Sequence, residues 1–474
     1  MAKTDIWIKG IGEKRGAPYV YFDGMQAIRA GFSPGQKYDV DIDGNRVVLS
    51  ANKDGSRTVC AKRKGEVDYP VVDINSKELL ALFDGMSSIR VIVQGGKVYL
   101  LPLASEVKKR ERITRIAEKM ASRTPLSMAS LSHGGGVLSH AIHEGLKRAG
   151  VDAELAFANE IREDLLCHAI EHNDAWSENT MAVAMPMQEA AQDDWLLARL
   201  PKLDVLEMGL PCSGASKAGA SKRGLTKMED HPEVGHLVFA ALVILNQTQP
   251  AVVLLENVPE YADSASAMIL RNQLRDMGYH THEAILEGKD FGCMENRVRW
   301  CMVAVTNGLD FDIEKLAPTV TVVKKLGDYL DASIGPDDPR YRAVSYLKEK
   351  MERDAAKGNS FAMQTITAES TSVPTLRKGY QKGGSTDPRL LHPTNPELSR
   401  LLTAAEHSRI KGVPDHLIDG LSDTIAHQLL GQGILYAPFE AVGQRIGECL
   451  NKVGEAKSVK DAPKKRVNAS FGIG

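Results

Sequence analysis

The chain has 474 residues, 43% of them hydrophobic and 25% charged, which excludes global disorder and a collagen-like fibre and exceeds one ordinary domain. Lys+Arg 59 against Asp+Glu 61 leaves a formal net charge of −2, so any case for a polyanionic partner must be local. No apolar run approaches the roughly 18 residues that span a bilayer. The six cysteines (Cys60, Cys167, Cys212, Cys293, Cys301, Cys449) are scattered without metal-type pairing, and MAKTDIWIKGIGEK has no apolar signal core. Free thiols in a reducing cytoplasm, no metal site and no membrane association are the expectations.

Residues 1–105 hold an internal repeat at an offset of about 51 residues. YVYFDGMQAIRAGFSPGQKYDVDIDGNRVVLS and YPVVDINSKELLALFDGMSSIRVIVQGGKVYLL share an order of apolar strand, short helical turn and hairpin. The hairpin turns fall at Asp43-Gly44 and Gly95-Gly96. Each copy is too small to bury a core, so the two should pack together as a small β domain. Residues 106–125, with EVKKRERITRIAEK, read as a basic helical linker, ordinarily a solvated connector. From residue 126 apolar strands alternate with amphipathic helices, which predicts a parallel sheet covered on both faces and a site at the carboxyl ends of its strands.

Four strings fall where that sheet places loops. GLPCSGAS follows the strand DVLEM and holds Cys212 after Pro211, a fixed direction that suits a nucleophile, although a lone cysteine is more often an apolar filler. AVVLLENVPEY puts Glu256 and Asn257 at the tip of a buried strand, where a carboxylate needs a partner or a task. KDFGCMENRVRWCMVAV places Arg297 and Arg299 on one face at a strand start, suited to an oxygen-rich ligand or to an edge-strand surface. RLLTAAEHSRIKGVP and QLLGQGILYAPFEAVGQRI lie far downstream.

In this order the strings resemble the cytosine-5 DNA methyltransferases, over roughly residues 126 to 451. The resemblance implies an α/β, Rossmann-like S-adenosylmethionine-dependent methyltransferase fold with a small target recognition lobe. The N-terminal small β domain stands in front of it and is similar to the swapped-hairpin domains of bacterial regulators and antitoxins. The implied division is a catalytic core over 126–307, target recognition over 308–397, completion of the core over 398–452 and a basic flexible tail over 453–474. By the same resemblance Cys212 attacks carbon-6 of a flipped cytosine, and Glu256 shares a proton at ring nitrogen 3. Arg297 and Arg299 contact the base carbonyl, while Asn257 and Ser213 lie on the substrate side.

Gly134, Gly136, Glu160, Pro211 and Gln432 are assigned to S-adenosylmethionine. Several positions depart from the family pattern: Ser130 and Ser132 replace an Asp and a Phe, Ser213 and Glu295 each replace a Gln, and Gln432 replaces an Asn. Lys378, Tyr380 and Lys382 interleave charge and an aromatic in a Gly-rich stretch, suited to phosphate contacts or to an ordinary surface loop. Double-stranded DNA is the expected partner; a homodimer through the N-terminal domain and a companion restriction nuclease stay open. A cytoplasmic enzyme of bacterial or mobile-element origin is expected. The alternatives are RNA as substrate, an altered cofactor, or a DNA-binding regulator with a vestigial catalytic lobe.

Overall fold

The computed structural model describes residues 4–211, 228–318, 324–358 and 361–461. The chain forms two compact units, Met1–Glu111 and Arg112–Gly474.

In the first unit the two repeats share one core, in which Val47 and Leu49 of one copy join Val98 and Leu100 of the other. Their pairing obeys an internal dyad. Strand Arg46–Ala51 runs antiparallel to Lys97–Pro102, and Val48 faces Tyr99, its own counterpart 51 residues on. Strands Ala17–Asp23 and Val67–Asn75 pair antiparallel in the same manner. The turn glycines Gly44, Gly95 and Gly96 have positive φ, as tight hairpins demand.

Helix Ala104–Ser122 is not the solvated connector expected from its charge. Its later residues belong to the second unit. The fully buried Arg112 donates to Thr306 Oγ1, Gln249 Oε1 and the Met277 carbonyl. Arg115 and Lys119 close on the buried Asp204 carboxylate at 2.9 and 2.6 Å. Basic residues at this spacing lie on one helix face, and here that face is spent on interior acceptors.

The second unit is built on seven strands: β1 (Leu126–Leu131), β2 (Ala153–Glu160), β3 (Met181–Ala184), β4 (Val205–Met208), β5 (Val252–Asn257), β6 (Tyr279–Glu287) and β7 (Val298–Thr306). They lie in the order β3-β2-β1-β4-β5-β7-β6. The first five are parallel, as the strand–helix alternation predicts, but β7 runs antiparallel between β5 and β6. The chain passes from β6 to β7 through a short excursion without a crossover helix, and only an antiparallel neighbour can be reached that way.

Helices cover both faces. One carries α1 (Val137–Arg148), α2 (Glu163–His172), α5 (Ala404–Lys411), α6 (Asp423–Gln432) and α7 (Tyr436–Asp461); the other carries α3 (Leu237–Thr248) and α4 (Ala265–Asp276). The last helix, α7, packs against α1 at close range. A β-carbon built on Gly145 would stand 2.1 Å from the Glu440 carbonyl, and one on Gly443 2.5 Å from the Ile142 carbonyl. Glycines at both crossing points let the backbones touch.

Between β7 and α5 a smaller lobe gathers around Leu326, Ile366, Val373, Leu376, Tyr380 and Leu390. Its four-stranded sheet orders Arg342–Ala343, Leu398–Arg400, Arg389–Leu391 and Thr365–Ile366.

Candidate active site

The carboxyl ends of β1, β2, β4 and β5 meet at one edge of the sheet. After β1 the backbone enters the left-handed region at Ser132, Gly134 and Gly136. Gly136 is obligatory, because a β-carbon there would fall 2.3 Å from Asn173 Nδ2 and 2.6 Å from His133 Nε2. Gly134 differs, since a β-carbon there would meet nothing within 4 Å, which leaves room over the turn for a bound group. Glu160, at the end of β2, is 8% exposed and accepts the Gly134 N–H at 2.8 Å and the Arg162 N–H at 3.0 Å. A fixed carboxylate beside a glycine turn at a helix start suits the hydroxyls and cationic end of a nucleoside cofactor.

From β4 the chain runs through Gly209 and Leu210 to Pro211. Cys212 and Ser213 lie outside the described residues. What leads to them is held: Gly209 donates its N–H to the Leu131 carbonyl, and Asn257 Nδ2 donates to the Leu210 carbonyl at 3.0 Å. Asn257 thus ties the tip of β5 to the segment that delivers the cysteine.

Glu256 and Arg299 form an ion pair, Oε1 to Nε 2.6 Å, with both side chains 13% exposed. Arg297 stands apart in its contacts. It is buried, and its guanidinium donates to Glu295 Oε1 at 3.1 Å, the Gly431 carbonyl at 2.7 Å and the Leu376 carbonyl at 3.4 Å. Arg299 therefore faces the carboxylate, while Arg297 joins the start of β7 to α6 and to the small lobe.

The Glu295 departure has a counterpart that sequence reasoning missed. The fully buried Lys411 places Nζ 2.9 Å from Glu295 Oε2, so one carboxylate bridges Lys411 and Arg297. Burial pushes the Glu295 carboxyl up, but the two cations outweigh it and hold it below the usual range. Burial and the Arg297 charge pull the Lys411 ammonium down to about 7. The downstream motif has a structural basis as well: Glu406 takes both arms of Arg400 at 2.7 Å and closes a capping box with Thr403 at the start of α5.

Glu207 was also missed, although an acid inside the four-residue apolar strand VLEM is a signal. It is 2% exposed and faces Ser130 across the β1–β4 register. Burial, with the Glu256 charge adding to it, pushes its carboxyl up to about 8, against the Ser130 hydrogen bond. Among the described residues its Oε1 has no hydrogen-bond partner. The carboxyl group absent at Ser130 thus reappears one strand over.

Gln432 ends α6 exposed to solvent, and Lys378 and Lys382 are exposed on the small lobe. Tyr380 does not lie in a surface loop. It is fully buried, its hydroxyl donates to the Pro388 carbonyl and accepts from the Leu402 N–H, and its ring packs beside His407 and His427. The apolar ring fills the lobe's core, so only the two lysines are left at the surface. Among the described residues no helix is long and apolar enough to cross a membrane.

A family model described as C-5 cytosine-specific DNA methylase matches residues 128–448. The Type II methyltransferase M.NlaX of Neisseria lactamica is 28% identical over 270 residues, covering 55% of this chain and 81% of that protein. M1.ScrFI of Lactococcus lactis subsp. cremoris is 27% identical over 266 residues, covering 53% and 64%. Among solved structures, S. pombe Dnmt2 methyltransferase superposes with a TM-score of 0.53 at 21% identity, over 69% of this chain and 99% of that one. Entamoeba histolytica EhMeth gives 0.52 at 18%, over 69% and 98%.

Proposed function

The chain belongs to the C-5 cytosine-specific DNA methylase family, the S-adenosylmethionine-dependent DNA cytosine-5 methyltransferases, and we propose that it works through a covalent adduct between Cys212 and a flipped cytosine in double-stranded DNA. The observation that carries this reading is the grouping at the carboxyl end of β5, where Glu256 pairs with Arg299 and stands beside Gly209, and Asn257 holds the Leu210 carbonyl of the segment leading into Cys212.

Carbon-5 of cytosine is a poor nucleophile. A thiolate bond to carbon-6 moves electron density onto carbon-5 and leaves negative charge on the ring. The charge is relieved by a proton shared between ring nitrogen 3 and Glu256, which Arg299 orients by their ion pair. Once carbon-5 carries the methyl group, loss of its proton to a base re-forms the C5–C6 double bond, expels Cys212 as the thiolate and restores aromaticity. Arg297 acts at one remove, holding the start of β7 through the Gly431 carbonyl.

S-Adenosylmethionine, when bound, supplies the methyl group. The residues present fit it: the open turn at Gly134 and the anchored Glu160 carboxylate are the features such a ligand requires, with Pro211 bounding the same edge. Target choice is assigned to residues 308–397, where Lys378 and Lys382 offer phosphate contacts. The type II naming of the relatives supports a companion restriction nuclease.

The test is nucleoside mass spectrometry on DNA and RNA from a methylation-deficient bacterium expressing the wild type or Cys212→Ala. 5-Methylcytosine in DNA with the wild type alone is the expected result. Methylation by the alanine variant would refute the covalent route, and product confined to RNA would refute the substrate.

A further inference from the structure

Behind the cofactor turn, on the face that carries α1, three side chains from separate segments converge. His140 lies in the first turn of α1, Asp174 follows α2, and His416 lies in the short helical turn Asp415–Ile418. One ligand atom from each falls within 4.8 Å of the others. His140 Nε2 stands 2.7 Å from Asp174 Oδ1, and His416 Nε2 stands 3.9 Å from the same oxygen.

We propose that His140, Asp174 and His416 bind a zinc-class divalent transition-metal ion, with water completing the coordination. Two imidazoles and one carboxylate form the donor set such ions prefer, whereas magnesium and calcium select oxygen. The approach distances are near what is needed, because metal–ligand bonds of about 2.1 Å place tetrahedral ligands about 3.4 Å apart. A small rotation of the two exposed side chains, Asp174 and His416, closes the difference.

The buried member carries the argument. His140 is 3% exposed, and its Nε2 is turned outward onto the Asp174 carboxylate at 2.7 Å. Its other nitrogen, Nδ1, is engaged by the Tyr436 hydroxyl at 2.6 Å. An imidazole with one nitrogen fixed from behind and the other aimed at a carboxylate and a second histidine has the outer-shell arrangement of a metal ligand.

The two outer ligands stand on fixed backbone. Asn173, beside Asp174, donates to the Gly136 carbonyl and accepts the Ala175 N–H. Leu417, beside His416, engages His168 Nε2 through its carbonyl at 2.9 Å. A bound ion would therefore clasp the start of α1, where the cofactor turn ends, to the turn that follows α5.

The test uses the full chain, stripped with chelator and titrated with Co2+ and then Zn2+. One Co2+ per chain with visible d–d absorption, displaced by one equivalent of Zn2+, is expected, together with a zinc-dependent rise in Tm. Asp174→Asn and His416→Ala, at partly exposed positions, should keep the far-UV circular dichroism of the wild type and lose both signals. Tyr436→Phe should weaken binding about 10–100-fold. Absence of stoichiometric uptake, or equal uptake by the wild type and both ligand variants, would overturn the site.

Discussion

Replacing Glu207 by Gln tests whether a neutral carboxyl group is buried beneath the active site. Its folded-state pKa of about 8 lies above the ordinary 4.5, so folding takes up a proton between those values. The sign follows: protonation stabilises the fold, that stability is fully present below pH 4.5, and it is lost as pH rises through 8. At about 1.4 kcal/mol per unit the wild type should lose roughly 3 to 5 kcal/mol over that window. Glutamine has nearly the same shape and does not titrate. The two proteins should be similarly stable near pH 5, with the variant gaining steadily until it melts several degrees higher near pH 8. Thermal melts of both proteins from pH 5 to 8.5 provide the measurement, and the difference between them cancels every other titrating group. A difference that stays flat with pH would refute the assignment.

Three further outcomes follow from the packing and the site. Lys411→Met takes one of the two cations from the buried Glu295 carboxylate, leaving Arg297 as its partner, and should cost about 3–5 kcal/mol, part of it recovered by adding Glu295→Gln; an additive double mutant in denaturant melts would contradict the bridge. Gly443→Ala raises helix propensity by about 1 kcal/mol yet drives a methyl into the Ile142 carbonyl, for a net loss of about 1–3 kcal/mol, and an unchanged or higher melting temperature would show that α7 can shift. Glu256→Gln should lower kcat about 10²–10⁴-fold with DNA binding retained in a gel shift, whereas wild-type turnover would remove Glu256 from the chemistry.

The alternation of strand and helix, the repeat and the ordered strings were legible because each is a local pattern. Periodicity reports which face is buried, and Gly-Gly or Asp-Gly reports a turn, without reference to distant residues. Glu256 was legible for the same reason: an acid at the tip of an apolar strand is costly wherever the strand lies.

Pairings between distant segments were not. Lys411 is 116 residues from Glu295, and Glu207 is 77 from Ser130, so no spacing rule links them. Each was visible only as an isolated departure or as an ordinary charged residue. Tyr380 was read from its polar neighbours, but burial is decided by what folds over a residue, and the small lobe closes around its ring.

The sequence alone determined the sheet-forming segments and the placement of Glu160, Glu256 and Asn257 at strand carboxyl ends, because these depend on chain order and local hydrophobicity. Folding in three dimensions decided the antiparallel β7, the division of labour between Arg297 and Arg299, and the partners of the buried charges. A buried charge is tolerated only where an opposite charge or a hydrogen-bonding group arrives from elsewhere in the chain, and that arrival is a property of the packed molecule.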